Sequence, residues 1–480
     1  MIRKILACIL FFNVTATAVY ADWSITTPAQ ISAIDEVAHN VSCSFDPTTG
    51  KFLAVWKDYN TNQAPYYSFY IPDTGWTAVA IIAGSTIPQH DVYSACNSST
   101  GVSIAAWGDA SNNNYPTYSI YTPGLGWSTI DTITTSFSVA SGQYNVFLSF
   151  DSVTGNFIAT WTNSSGYPTY AFYTPGTGWG TPNTISGTSQ AEGSIFSVAD
   201  SINGTIMAAW SDLTTNYPTY SIYTPGSGWS PSTTITTASF LYEDVYLSFD
   251  STTGQTLATW GNSEANSVPV YSFFTPGMGW STMGTLPGTT KVDFDITTSF
   301  DPVTGQFLAA WSDHNHLNRV TYSFYTAGSG WSSPAFLSVA AARDNVFLVY
   351  GSLTGQILST WTGGGNGEEE GTQVPYYAFF DGPAPQFAPI APASFSGKVT
   401  NNRFLTQTDI INKLNWTPAN DSTIVSYVLR RNGVLIYTAP STGPYTYEDH
   451  NRLKNVTYVY TLTSQNQKGV ESSVLTVTIN

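Results

Sequence analysis

Ala105-Ala-Trp107-Gly-Asp-Ala-Ser-Asn-Asn-Asn-Tyr-Pro116-Thr-Tyr-Ser-Ile-Tyr-Thr-Pro-Gly-Leu-Gly-Trp127 is one statement of a phrase that the chain repeats. Its first tryptophan recurs at Trp56, Trp107, Trp161, Trp210, Trp260, Trp311 and Trp361, in steps of 51, 54, 49, 50, 51 and 50 residues. A fixed period of that size marks stacked copies of one supersecondary unit, none of which buries its apolar face alone. Each unit holds four runs rich in β-branched and aromatic residues, bounded by turn chemistry. In the third unit these runs span 145–150, 156–161, 169–173 and 179–185.

The turns between the runs carry a mechanism. Asp46-Pro-Thr-Thr-Gly50, Asp151-Ser-Val-Thr-Gly155, Asp250-Ser-Thr-Thr-Gly254 and Asp301-Pro-Val-Thr-Gly305 each open on a side chain that can cap its own turn and close on a glycine free to take positive φ. The Pro-Gly-x-Gly before Trp127, Trp179, Trp229 and Trp280 turns the next corner. Two places before each repeat tryptophan stands Ala54, Ala105, Ala159, Ala208, Ala258, Ala309 or Ser359, small enough for sheets that crowd toward an axis while the indoles fill the widening gap between them. Six units end in a Gly-Trp strand, at Trp76, Trp127, Trp179, Trp229, Trp280 and Trp331, and the seventh does not. Residues 23–30, which begin Trp23-Ser-Ile as Trp127-Ser-Thr does, are expected to supply its missing strand beside residues 376–380.

Four short strands in about 50 residues is the size of one propeller blade. Over residues 22–380 the chain therefore resembles the seven-bladed β-propellers, all-β with four-stranded blades, without matching a named repeat subtype. Residues 381–394, Asp381-Gly-Pro-Ala-Pro-Gln-Phe-Ala-Pro onward, read as a proline-rich linker. Residues 395–480 resemble a fibronectin type III domain: Leu414-Asn-Trp416, Tyr427-Val-Leu-Arg-Arg-Asn-Gly433 and Tyr458-Val-Tyr460 with Asn466-Gln-Lys-Gly469 match that family's tryptophan, hairpin and tyrosine corner. The resemblance implies a β-sandwich that acts as a spacer or adhesive module.

The N-terminus has the form of an export signal. Arg3 and Lys4 precede an apolar run over residues 5–14, and Ala18-Val-Tyr-Ala21 offers small residues for cleavage after residue 21. The chain is thus expected to be secreted or held at the cell surface, with no transmembrane segment. Charged residues make up 10% of the chain, against roughly a quarter in an average soluble domain. Residues 1–21 contain two of the 15 basic residues and no acid, so the remainder carries 31 acidic against 13 basic residues, a net charge of −18. Such a surface is repelled by phosphate backbones, which excludes nucleic acid as a natural partner. Cys43 and Cys96 stand where the third repeat has Leu148 and Phe150, and are expected as small core residues rather than a disulfide.

Alternate connections of an up-and-down blade share a face, so the loops after the repeat tryptophans and the links into the inner strands lie together. Two sets of oxygen-bearing side chains should converge there. Asp58, Asp109, Asn163, Asp212, Asn262 and Asp313 lie two residues after a repeat tryptophan, and Gly363 breaks the set. Asn40, Asp91, Asn145, Ser194, Asp244, Asp295 and Asn345 precede the inner strands. The first set, with Tyr115, Tyr167 and Tyr217 before the loop prolines, forms a candidate surface for sugar hydroxyls and a pyranose face. The second is a candidate calcium site, the one cofactor suggested. The competing reading for both is that each side chain caps its own strand or ties one blade to the next. His39, His90, His314 and His316 share the same face as weaker metal candidates, and Glu368, Glu369 and Glu370 lie in a longer loop of the seventh repeat. No nucleophile elbow, zinc-protease helix or phosphate loop is present. The sequence therefore favours a non-enzymatic recognition or adhesion protein binding glycan or an extracellular protein. A polysaccharide hydrolase or lyase using the acids of this face is the alternative.

Overall fold

The computed structural model describes residues 23–32, 40–58, 63–82, 84, 86–142, 144–185, 189–238, 241–263, 267–288, 291–292, 296–342, 345–364, 373–382, 389–404, 407–419, 421, 424–466 and 471–480. Each repeat folds into an antiparallel meander. In the third repeat Phe147–Asp151, Asn156–Thr162 and Pro168–Thr174 pair in order, and the outer edge is split into Gly178–Trp179 and Asn183–Thr184. The expected runs agree with these strands to within a few residues. The aspartate turns are built as read: Asp151 Oδ1 accepts from the Val153 amide, its Oδ2 from the Thr154 hydroxyl, and Gly155 has φ 75°.

Inner strands pack side by side in chain order. Ser42–Asp46 lies beside Tyr93–Cys96, followed by Phe147–Asp151, Ala191–Ala199, Leu241–Phe249, Thr297–Asp301 and Phe347–Gly351, which returns to Ser42–Asp46. The result is a β-propeller. The repeat tryptophans Trp56, Trp107, Trp161, Trp210, Trp260, Trp311 and Trp361 are fully buried between sheets, and the small residue two places before each is buried with it. Thr160 and Thr360 donate across the gap to the carbonyls of Ile195 and Val41 in the next sheet, at 2.8 and 2.7 Å.

A second aromatic course runs round the outer wall. Third-strand tyrosines meet the fourth-strand tryptophan of the following sheet edge-on, as in Tyr67–Trp127, Tyr118–Trp179, Tyr170–Trp229, Tyr220–Trp280 and Tyr271–Trp331, with centroids 5.3–5.5 Å apart. Tyr377–Trp76 continues the course from the last repeat to the first at 5.3 Å. Each such pair contributes about 0.5–1.5 kcal/mol beyond the area it buries.

The N-terminal strand completes the last sheet, in a register different from the one its tryptophan suggests. Ser24 and Ile25 pair with Asp381 and Phe380, and Ala29 and Gln30 with Tyr377 and Tyr376. Ile25, not Trp23, therefore occupies the place that Trp127 holds opposite Tyr121. The shift is two residues, which keeps every side chain on its face. Trp23 instead stacks on Phe324 of the sixth repeat at 5.1 Å, and its Nε1 donates to Gln306 Oε1 at 2.8 Å.

The chain divides into two compact units, Met1–Ala384 and Pro385–Asn480. The second holds a three-stranded sheet of Ser394–Phe404, Gln407–Thr417 and Thr446–Asp449, and a four-stranded sheet of Val434–Pro440, Ile424–Arg431, Tyr458–Asn466 and Leu475–Ile479. Leu414, Trp416, Tyr427, Leu429, Tyr460 and Leu462 fill its core. Tyr458 Oη accepts from the Leu453 amide at 3.1 Å, five residues upstream, and Tyr460 Oη donates to the buried Asp449 carboxylate at 2.6 Å.

Candidate functional site

The side chains that precede the inner strands form a buried belt of bonds from sheet to sheet. Asn40 Nδ2 donates to Asp91 Oδ2 at 2.7 Å. Asn145 Nδ2 donates to the same oxygen at 3.2 Å and to Ser194 Oγ at 3.3 Å, while Asn145 Oδ1 accepts from the Asp91 amide at 3.0 Å. The Ser194 amide donates to Asp244 Oδ1 at 2.9 Å, and the Asn345 amide to Asn40 Oδ1 at 2.8 Å. Donors alternate with acceptors, whereas a calcium cage needs six to eight oxygens turned toward one point. Asp295 and His39 lie outside the described residues. His90 Nδ1 sits 2.9 Å from Asp91 Oδ2, within the belt.

The side chains after the repeat tryptophans turn into their own loops. Asp109 Oδ1 accepts from the Ser111 amide and hydroxyl, and Asn163 Oδ1 from the amides of Ser165 and Tyr167. Asp313 Oδ1 accepts from the amides of Asn315 and Lys291, and its Oδ2 lies 2.8 Å from His316 Nδ1. Asp58 and Asn262 are buried. Asp212 Oδ1 accepts from the Thr214 and Thr215 amides and the Thr215 hydroxyl, and its Oδ2 from Ser189 Oγ, which itself accepts from Trp210 Nε1. Burial alone would push the Asp212 carboxyl up, but the bonds from Ser189, Thr215 and Thr214 outweigh it and hold the group below the ordinary carboxylate range.

Asp109, Asn163, Asp212 and Asp313 therefore fix loops rather than face an opening. The loops they fix carry Tyr115, Tyr167 and Tyr217, half-buried in three successive repeats. Among the described residues no group of three or more histidine, cysteine, aspartate or glutamate side chains is placed to hold a metal ion. The Glu368–Glu370 stretch (368–370) lies outside the described residues.

Cavities occur elsewhere. One of about 410 Å³ lies on the axis, lined by inner-strand residues including Ser42, Cys43, Tyr93, Cys96 and Thr297, and by Pro47, Ser98 and Ser352 from the turns on the opposite face. Cys43 and Cys96 are free thiols on its wall, both pushed up to about 12 by burial. Another, of about 270 Å³, lies between the fourth and fifth sheets, lined by Asp200, Asn203, Ile222, Thr256 and Phe274 among others. Ile222 stands where Phe69, Phe172, Phe273, Phe324 and Phe379 stand in sister repeats, and Thr256 where Phe52, Phe157 and Phe307 stand. Aligning the repeats position by position carries that signal, which a search for polar side chains passes over.

No protein-family model matches the chain, and no curated protein does. Solved structures match in shape. BP39L lectin from Burkholderia pseudomallei aligns over 72% of this chain and 99% of its own, at 12% identity and a TM-score of 0.58. AofleA from Arthrobotrys oligospora aligns over 65% and 91% at 12% identity with a TM-score of 0.47. A lectin of Aleuria aurantia, described as a six-bladed β-propeller with a novel mode of fucose recognition, aligns over 63% and 96% at 12% identity with a TM-score of 0.41. At such identity the likeness is one of fold, and the BP39L alignment carries it.

Proposed function

We propose that the protein is an exported, non-enzymatic glycan-binding protein, built as a seven-bladed propeller joined to a fibronectin type III-like module. The single observation that carries this reading is a repeated one. Tyr115, Tyr167 and Tyr217 stand half-buried at the same place in three adjacent sheets, each on a loop pinned from below by Asp109, Asn163 or Asp212. A rigidly held ring with loop amides and hydroxyls around it suits the apolar face and hydroxyls of a pyranose. Equivalent weak sites on one rigid body favour multivalent attachment. That BP39L is a lectin accords with the reading.

Seven blades are supported by the order in which the inner strands pack, the last beside the first. The fibronectin-like assignment is supported by the three- and four-stranded sheets, buried Trp416 and the Tyr458 bond to Leu453. Export to the cell surface or medium rests on residues 1–21. A hydrolase or lyase acting through the acids of the loop face has less support, because Asp109, Asp212 and Asp313 are turned into their own loops.

A glycan array probed with the full chain tests the proposal. Binding is expected to persist in chelator and to be lost when Tyr115, Tyr167 and Tyr217 are together replaced by alanine. Silence from a folded sample, or binding indifferent to the triple substitution, would overturn it.

A further inference from the structure

The axial cavity has an origin in the sequence. Two residues beyond each belt position the inner strands carry Ser42, Tyr93, Phe147, Phe196, Tyr246, Thr297 and Phe347. The five aromatic rings meet on the axis, with centroids 3.9–6.2 Å apart between neighbours, and plug it. The first and sixth repeats, on either side of the seventh, contribute hydroxyls instead. Where two rings are missing, a space of about 410 Å³ remains. It is a blind funnel, closed by the aromatic plug with the belt beyond it, and bordered by Pro47, Ser98 and Ser352 of the aspartate-type turns.

Its wall chemistry is specific. Ser42, Ser44, Ser94, Thr297 and Thr298 supply hydroxyls, Tyr93, Phe147, Tyr246 and Phe347 supply rings, and among the described residues no charged side chain lines it. Several hydroxyls are spent: Ser44 bonds Ser94 at 2.9 Å, and Thr297 Oγ1 donates to the Val346 carbonyl. Ser42 is only 3% exposed, and its Oγ has no hydrogen-bond partner in the protein. Thr298 Oγ1 is likewise unpartnered. Buried polar atoms without partners are uncommon and destabilising; both oxygens are sealed as the side chains stand, and a turn about χ1 would bring either to the cavity, where a ligand oxygen would satisfy it. Among the described residues neither a cation nor a carboxylate is on the wall itself, and Asp46 and Asp301 stand behind Cys96 and Tyr350, so an anion is disfavoured and a neutral ligand suits the lining.

We infer that the funnel is a second binding site, distinct from the loop face, that takes the terminal ring of a neutral glycan end-on. An apolar sugar face would rest on the Tyr93, Tyr246 and Phe347 rings while ring hydroxyls bond Ser42 and Thr298. The choice of sugar rests on the function proposed above, whereas the site itself rests on the cavity and its orphan hydroxyls.

The test is titration of the full chain with methyl α-glucoside, methyl α-galactoside and methyl α-mannoside separately, read by saturation-transfer NMR and calorimetry. At least one should bind, with a Kd on the order of 1 mM. Ser42→Phe, the residue type of the sister repeats, should abolish that binding. Ser42→Ala, which keeps the cavity and removes one bond, should weaken it about tenfold. Replacing Tyr115, Tyr167 and Tyr217 by alanine should leave it intact. If Ser42→Phe fails to fold, Ser42→Ala decides: unchanged affinity would sink the proposal, as would absence of pyranoside binding by the native chain. Funnel binding that survives the triple tyrosine variant while the array is silent would remove the loop-face reading and keep this one. Array binding lost only in the triple variant, with Ser42→Ala indifferent, would do the reverse.

Discussion

Asn145 holds three sheets at once. It is 5% exposed, donates to Asp91 and Ser194, and accepts from the Asp91 backbone. Replacing it by alanine takes one of two amide bonds from Asp91 Oδ2, which Asn40 still serves, and removes the partner of the Ser194 hydroxyl and of the Asp91 amide, and should cost about 2–3 kcal/mol in urea unfolding. Because Asn40 Oδ1, Asp91 Oδ2, Asn145 Oδ1 and Asp244 Oδ1 each accept from a neighbouring sheet, millimolar calcium or chelator should leave the melting temperature of the native chain unchanged; a rise with calcium would restore the cation reading of Asn40, Asp91, Asn145, Asp244, Asp295 and Asn345. Sequence periodicity brought these residues to one face. It could not choose between a cage and a belt, since that choice depends on the direction in which each amide points across to a sheet about 50 residues away. The funnel, by contrast, had a signal in the alignment: Ser42 and Thr297 interrupt a column of aromatics.

Among the elements, the clearest difference between reading and structure is the register of the N-terminal strand. In the other repeats a Pro-Gly-x-Gly or related turn sets the distance from third strand to fourth-strand tryptophan, as Gly124 and Gly126 do at φ 80° and 86°. No turn joins residues 23–30 to residues 374–381, so matching tryptophan to tryptophan had nothing to fix it, and stacking on Phe324 set the register instead. Trp23→Ala removes that stack and the Gln306 bond, and should destabilise the propeller by about 2–3 kcal/mol. The measurement is thermal or urea unfolding. Ile25→Ala, at the position the tryptophans hold elsewhere, makes the companion variant. The strand runs and their turns were legible throughout because each is local chemistry: an aspartate capping its turn, a glycine at positive φ, a tryptophan every 50 or so residues.

For the whole molecule, the two units keep separate cores, one of repeat tryptophans and one around Trp416 and Tyr460. Calorimetry of the full chain should therefore resolve two transitions, and residues 385–480 expressed alone should reproduce one of them; a single transition absent from the fragment would contradict this independence. The strand that closes the propeller gives the molecule a history as well as a shape. Thr26 exchanges bonds with Phe379, 353 residues further along, so this strand cannot take its place until the last repeat is there to receive it. Contacts of such sequence separation form late and slowly. The latch at residues 23–30 therefore waits for its catch, and the ring cannot lock before the final repeat has folded.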